Sequence, residues 1–123
     1  MLEKEAIIKK LQDYFAKKQE VEFAYLFGSV ARDEANKLSD IDIAVMCKDK
    51  CSILRMMSEI ARELQFDEID IVDLKQTKNL RLLKSIIQEG IVVKDAQKRW
   101  DWELHKYHLA LDFLNHARVV YGY

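Results

Sequence analysis

At 123 residues the chain has room for one domain with a real core, but not for a second substrate-binding module. Its 20 basic and 21 acidic side chains leave a formal charge of -1, which excludes the broad basic footprint that grips duplex nucleic acid, so any nucleotide binding must be local. With 50% hydrophobic residues, 33% charged residues and no proline, the composition suits a helix-rich globular domain and argues against disorder.

Met1 to Lys10 alternate charged and apolar positions with no long apolar run, so neither a signal peptide nor a membrane span is expected, and a cytoplasmic location follows. From Glu3 to Lys18 the residues Ile7, Leu11, Tyr14 and Phe15 share one helical face. Val21 to Phe27 reads as a strand, Ser29 to Glu34 as a short helix capped by Ser29, and Asp40 to Met46 as a second strand. Cys47 and Cys51, the two cysteines, read as free thiols, since no further Cys or nearby His completes a metal set.

Cys51 to Leu64 carries Ile53, Met57, Ile60 and Leu64 at helical spacing, with Met56 and Met57 as core filler. Asp67 to Leu74 is a third strand, β-branched but interrupted by acids. A third long helix runs to Glu89 from a cap at Thr77 or Asn79, with Leu80, Leu83 and Ile87 inward, and Gly90 ends it; Ile91 to Val93 is a short edge strand. Arg99 to Val120 has two apolar seams: Trp100, Leu104, Tyr107, Leu111 and Leu114 on one side, Trp102, Leu109, Phe113 and Val120 nearly opposite. The apolar arc covers roughly 220°, more than the ~100° that one core contact needs, so one face is free for a partner unless the helix is wedged within its own domain.

The stretch Phe27 to Asp42 carries the chemistry. Gly28 and Ser29 end an apolar strand, where unpaired backbone N–H groups and a side-chain-free glycine can cradle a phosphate. Ten residues separate Ser29 from Asp40, and Asp40 and Asp42 project from the same face of the next strand. Two carboxylates ~4 Å apart repel by about 4 kcal/mol at an effective dielectric of ~20, a cost that a divalent cation between them offsets. Arg32 follows Ser29 by one helical turn and can add a phosphate contact, with Lys37 and Ser39 at the rim. A third carboxylate is sought in the acidic strand. Asp70 is favoured over Asp73, because alternation puts Asp73 on the opposite face. Asp101, His105, His108, Asp112 and His116 cluster on the last helix and read as a solvated face rather than a transition-metal site.

Gly28-Ser29, ten residues, then Asp40-Ile41-Asp42 resembles the signature of the polymerase-beta-like nucleotidyltransferases, and the short chain narrows the likeness to their minimal nucleotidyltransferase (MNT, MntA-like) family. The resemblance covers Val21 to Leu74 by motif and Ile91 to Val93 by layout. It implies an α/β (α+β) fold with a mixed sheet of about four strands, helices on one face and a C-terminal helix. The expected division is a nucleotidyltransferase domain over 1–95 and a helix over 96–123 that packs on it and on a partner. It also implies that Asp40, Asp42 and Asp70 hold two Mg2+ ions while Gly28, Ser29 and Arg32 bind ATP. The implied reaction moves AMP to a hydroxyl, a tyrosine by family likeness, of a HEPN ribonuclease toxin, which makes the chain its antitoxin. A non-catalytic binding antitoxin and a small-molecule nucleotidyltransferase of the aminoglycoside type are the competing implications, and the sequence leaves the oligomeric state open. The chain departs from the family at Asp33, where many members carry glycine.

Overall fold

The computed structural model describes residues 3–34 and 40–121, with side chains through residue 109. The order is α1 (Lys4–Ala16), β1 (Val21–Phe27), α2 (Gly28–Ala31), β2 (Ile41–Cys47), α3 (Ile53–Leu64), β3 (Ile69–Asp73), α4 (Leu80–Glu89), β4 (Ile91–Lys94) and α5 (Lys98–Tyr121). The four strands form one mixed sheet in the order β3-β2-β1-β4. β1 runs antiparallel to β2 and β4, while β2 and β3 are parallel and joined across α3. The α+β class and the four-strand mixed sheet are as expected, with β4 at an edge, but the expectation of helices on one face is corrected: α1 and α3 cover one face and α4 the other, because both faces of β1 and β2 carry apolar side chains.

Strand alternation divides the core in two. Ala24, Leu26, Ile41, Ile43 and Val45 point to the face covered by Ile7, Leu11 and Phe15 of α1 and Met56, Ile60 and Leu64 of α3. Phe23, Tyr25, Phe27, Ala44 and Met46 point to the other face, against Leu83 and Ile86 of α4. Asp42 and Asp70 lie two residues ahead of Ala44 and Val72 in their strands, and so on this second face.

Local chemistry sets the helix starts. Ser52 Oγ accepts the Arg55 N–H at 3.2 Å to open α3, and Asn79 Oδ1 accepts the Leu82 N–H at 3.1 Å to open α4, so of the two candidate caps Asn79 serves. Gly90 follows α4 in an extended conformation rather than the left-handed one of a helix-ending glycine. Its requirement is space: a Cβ there would collide with the Ile86 carbonyl oxygen and meet the Tyr25 ring at 3.2 Å. Cys47 and Cys51 are joined rather than free, because the turn out of β2 brings their Cα atoms to 6.1 Å, inside bridging range.

At the start of α5 the Trp102 side docks on the sheet, while Tyr107 further along bonds Gln88 of α4 at 2.9 Å. The Trp102 ring lies 5.4 Å from Phe23 and 6.3 Å from Tyr25, whereas Trp100 and Leu104 are 64% and 63% exposed. A polar network fixes that choice: buried Tyr25 donates its hydroxyl to Glu103 Oε1 at 2.5 Å, and Arg99 bonds Glu103 Oε1 at 2.8 Å and Asp95 Oδ1 at 2.6 Å. Burial and the Glu103 carboxylate push the Tyr25 hydroxyl pKa up, which keeps it a donor. The side chains of Leu111, Asp112, Phe113, Leu114, His116 and Val120 lie outside the described ones.

Candidate active site

The site is built where β1 ends and β2 and β3 begin. Phe27, the last residue of β1, pairs with Asp42, and Asp42 pairs with Asp70 across the parallel β2/β3 ladder. Two carboxylates in register on one face of adjacent strands are forced close together. Asp73 is three residues further on, opposite Val45, where its Oδ1 accepts the Lys75 N–H at 3.0 Å and closes the turn out of β3. Asp40 is exposed just ahead of β2.

Gly28 enters α2 with φ 78°, in the left-handed region, and its Cα faces Asp42 so directly that a Cβ would overlap the carboxylate oxygen Oδ2. α2 is a single turn, and the residue before it, Phe27, makes no side-chain cap. The expectation of Ser29 as cap is therefore corrected. Gly28 opens the helix and half-buried Ser29 is its second residue, because the left-handed glycine turns the chain one position earlier than the serine could.

Arg32 caps the C-terminal end of α2 and is pinned by two carboxylates, Nε to Glu34 Oε2 at 3.1 Å and Nη1 to Glu89 Oε2 at 3.3 Å. Asp33 next to it has φ 60°, which explains why a glycine suits this position, and aspartate is among the residues that tolerate it. Its carboxylate turns away to Lys4 Nζ at 3.1 Å, and Lys4 also donates to the Ala31 carbonyl at 3.0 Å, so α1 holds the end of α2. Lys37 and Ser39 lie outside the described residues.

Burial raises the Asp42 pKa, and repulsion from Asp70 and then Asp40 raises it further, against a smaller lowering by Arg32. Among the described residues no three His, Cys, Asp or Glu side chains are gathered tightly enough to hold an ion by themselves, and this includes exposed His105 and His108 with Asp101. A hard cation such as Mg2+ does not need such a cage. It takes one or two carboxylates and completes its shell with water and phosphate oxygens. A half-buried carboxylate with carboxylate neighbours raising its pKa fits that group, since a divalent charge relieves both burial and repulsion.

Glu34 and Glu89 were not visible as parts of the site. The one sequence signal for Glu89 is an acid in the last turn of α4, where the helix dipole disfavours negative charge and a distant cation must compensate. A groove of about 310 Å3 between α1 and α3, lined by Asp13, Tyr14, Lys18 and Glu59 among others, is remote from these residues. Its charges pair internally, Lys18 Nζ to Glu59 Oε1 at 2.9 Å.

A left-handed glycine at the mouth of a one-turn helix, set against paired strand aspartates, is the arrangement of a nucleotidyltransferase fold. The family model for polymerase beta nucleotidyltransferases matches residues 9–99, and the chain belongs to that family. Among curated proteins it is similar to the protein adenylyltransferase MntA of Shewanella oneidensis, 33% identical over 92 residues that make up 72% of this chain and 63% of that protein. The chain thus matches less than two thirds of its relative's length. Among solved structures it is similar to a toxin-antitoxin crystallised with AMP-PNP, with a TM-score of 0.66 and 24% identity over 96% of this chain and 91% of the other. It is similar also to a chain in the complex of tri-AMPylated Shewanella oneidensis HEPN toxin with MNT antitoxin, with a TM-score of 0.59 and 25% identity over 95% and 87% of the two chains.

Proposed function

We propose that this protein is an Mg2+-dependent nucleotidyltransferase that moves AMP from ATP to a hydroxyl, a tyrosine hydroxyl by the family resemblance, of a partner HEPN ribonuclease toxin, and so acts as the antitoxin of the pair. The observation that carries this reading is the register of Asp42 with Asp70 beside Gly28. It puts carboxylates and the start of α2 at one point, where a triphosphate and its cations would be held together. The curated relative named a protein adenylyltransferase supports the choice of substrate class.

Asp40, Asp42 and Asp70 would hold the two ions, which supply Lewis-acid polarisation of the α-phosphate and neutralise charge on the leaving pyrophosphate. Gly28 and Ser29 bind the β and γ phosphates through N–H groups and the serine hydroxyl, and Arg32 adds a guanidinium contact. The acceptor oxygen attacks the α-phosphorus and the bond to the β-phosphate oxygen breaks. Asp70, exposed at the outer strand, takes the hydroxyl proton. We assign residues 1–95 to this catalytic unit and 96–123 to a helix that docks on it and presents Trp100 and Leu104 to the partner. No helix among the described residues is long and apolar enough to cross a membrane, and a ribonuclease toxin has its RNA in the cytoplasm, where we place the pair.

The exposed Trp100 and Leu104 also favour a second reading, in which the chain neutralises its partner by occupying surface. The test incubates the chain with α-labelled ATP, Mg2+ and the protein encoded beside it, for wild type and Asp42→Asn. Label on the partner with wild type alone, and loss of protection by a variant that still binds, is the expected result. Full protection by the unlabelled variant overturns catalysis in favour of binding, and a labelled small product would indicate a small-molecule acceptor.

A further inference from the structure

Arg32 is tied by two carboxylates of different kinds. Glu34 is two positions along the same loop and travels with it, whereas Glu89 belongs to α4, 57 positions away, and the bond joins two separate elements. α4 is a firm anchor, because Leu83 and Ile86 are 2% and 0% exposed in the second core. Ser85, one turn earlier, donates its hydroxyl to the same Glu89 oxygen at 3.4 Å. The last turn of α4 has no basic residue of its own, so this carboxylate opposes its helix dipole and finds its counter-charge in Arg32.

We propose that Glu89 is a positioning residue for the nucleotide site: it holds the Arg32 guanidinium at the end of α2, so that an incoming triphosphate meets a fork already in place. This rests on the reading of Gly28, Ser29 and Arg32 as a triphosphate site. An arginine left to rotate must be ordered when the ligand arrives, and that ordering lowers affinity. The fork carries five N–H donors, so bonds from Nε and Nη1 to glutamates do not exhaust it.

The test uses the full chain as wild type, Glu89→Ala, Glu89→Gln, Arg32→Ala and the Glu89→Ala/Arg32→Ala double variant. Each is titrated calorimetrically with a non-hydrolysable ATP analogue and Mg2+, and the order of the arginine Nη–H groups is read by NMR. The pair is partly exposed, so a loss of about three- to ten-fold in affinity is expected for Glu89→Ala. Glu89→Gln, which keeps the acceptor, should stay within about two-fold, and Glu89→Ala should cost nothing further once Arg32 is absent. Tighter or unchanged binding by Glu89→Ala, or a loss that persists without Arg32, overturns the proposal. If wild type binds no triphosphate, the nucleotidyltransferase reading fails, and the positioning claim is decided by the Arg32 Nη–H signal, the group that Glu89 holds. Order lost in Glu89→Ala and retained in Glu89→Gln supports it; order unchanged in both refutes it.

Discussion

Gly28→Ala tests the centre of the site by adding one methyl group. Two separable costs follow. The φ of 78° is one that an L-residue adopts at a penalty of about 1–2 kcal/mol. The new Cβ also overlaps the Asp42 carboxylate and lies 3.0 Å from its carboxyl carbon, so the side chain must rotate away. Unfolding entropy of about 2.1 cal/mol/K per residue over 123 residues gives about 0.26 kcal/mol/K, so the φ penalty alone lowers Tm by about 4–8 °C. Displacing Asp42 adds to that loss and weakens Mg2+-ATP binding by more than about ten-fold, the factor set by about 1.4 kcal/mol. Thermal melts and calorimetric titration measure the two costs. Combining the substitution with Asp42→Ala should recover the overlap but leave the φ penalty, so the double variant melts above the sum of the single losses. An alanine variant as stable as wild type, or strict additivity with Asp42→Ala, would refute the claim that the glycine exists to admit the carboxylate.

Asp42→Asn should raise Tm at neutral pH without divalent ions and abolish the stabilisation that Mg2+ gives wild type. The folded pKa is raised, so the stability linked to the protonated form is complete below the ordinary carboxylate value and is lost as pH rises through the folded value. Melts across pH 3 to 8 should therefore show the wild-type deficit opening through that window and the variant lacking it. Asp70→Asn should abolish nucleotidyl transfer with little change in Tm, whereas Asp73→Asn should keep transfer and cost about 0.5–1.5 kcal/mol through the Lys75 N–H bond; comparison of labelled product and urea midpoints separates them. Asn79→Ala should destabilise by about 1 kcal/mol by uncapping α4, read from the same urea curves. Tyr25→Phe removes one of the two donors to Glu103 Oε1, leaving Arg99, and should cost about 1.5–3 kcal/mol, with hydrogen exchange rising first at the start of α5.

Alternation made the sheet legible, and with it the face of each acid. Ile41, Ile43 and Val45 fall inward on the α1/α3 side, which throws Asp42 to the other side, and the same period separates Asp70 from Asp73. What periodicity cannot encode is a partner. The bonds Arg32 to Glu89 and Tyr25 to Glu103 join residues 57 and 78 positions apart, and no window along the chain contains both ends. The same limit applies to α5, whose two apolar seams are equally good by spacing. The aromatic surface of Phe23 and Tyr25, with the Glu103 bond, selects the Trp102 side. At α2 the failure was finer. A serine is a fair cap by type, but the left-handed Gly28 had already turned the chain, a choice made by the nearness of Asp42 rather than by any neighbour in sequence.

These local misfits converge on one carboxylate. Gly28 in a left-handed conformation, Asp42 half-buried beside other acids and Glu89 at the wrong end of a helix each cost stability where they stand. Fully buried Ile41 and Ile43 on either side of Asp42 hold the strand in place despite that cost, so the charge cannot relax by turning the strand over without exposing both. A fold held by its core can keep an unfavourable charge fixed, and a fixed charge that its own surroundings do not satisfy is one that a cation and a phosphate can.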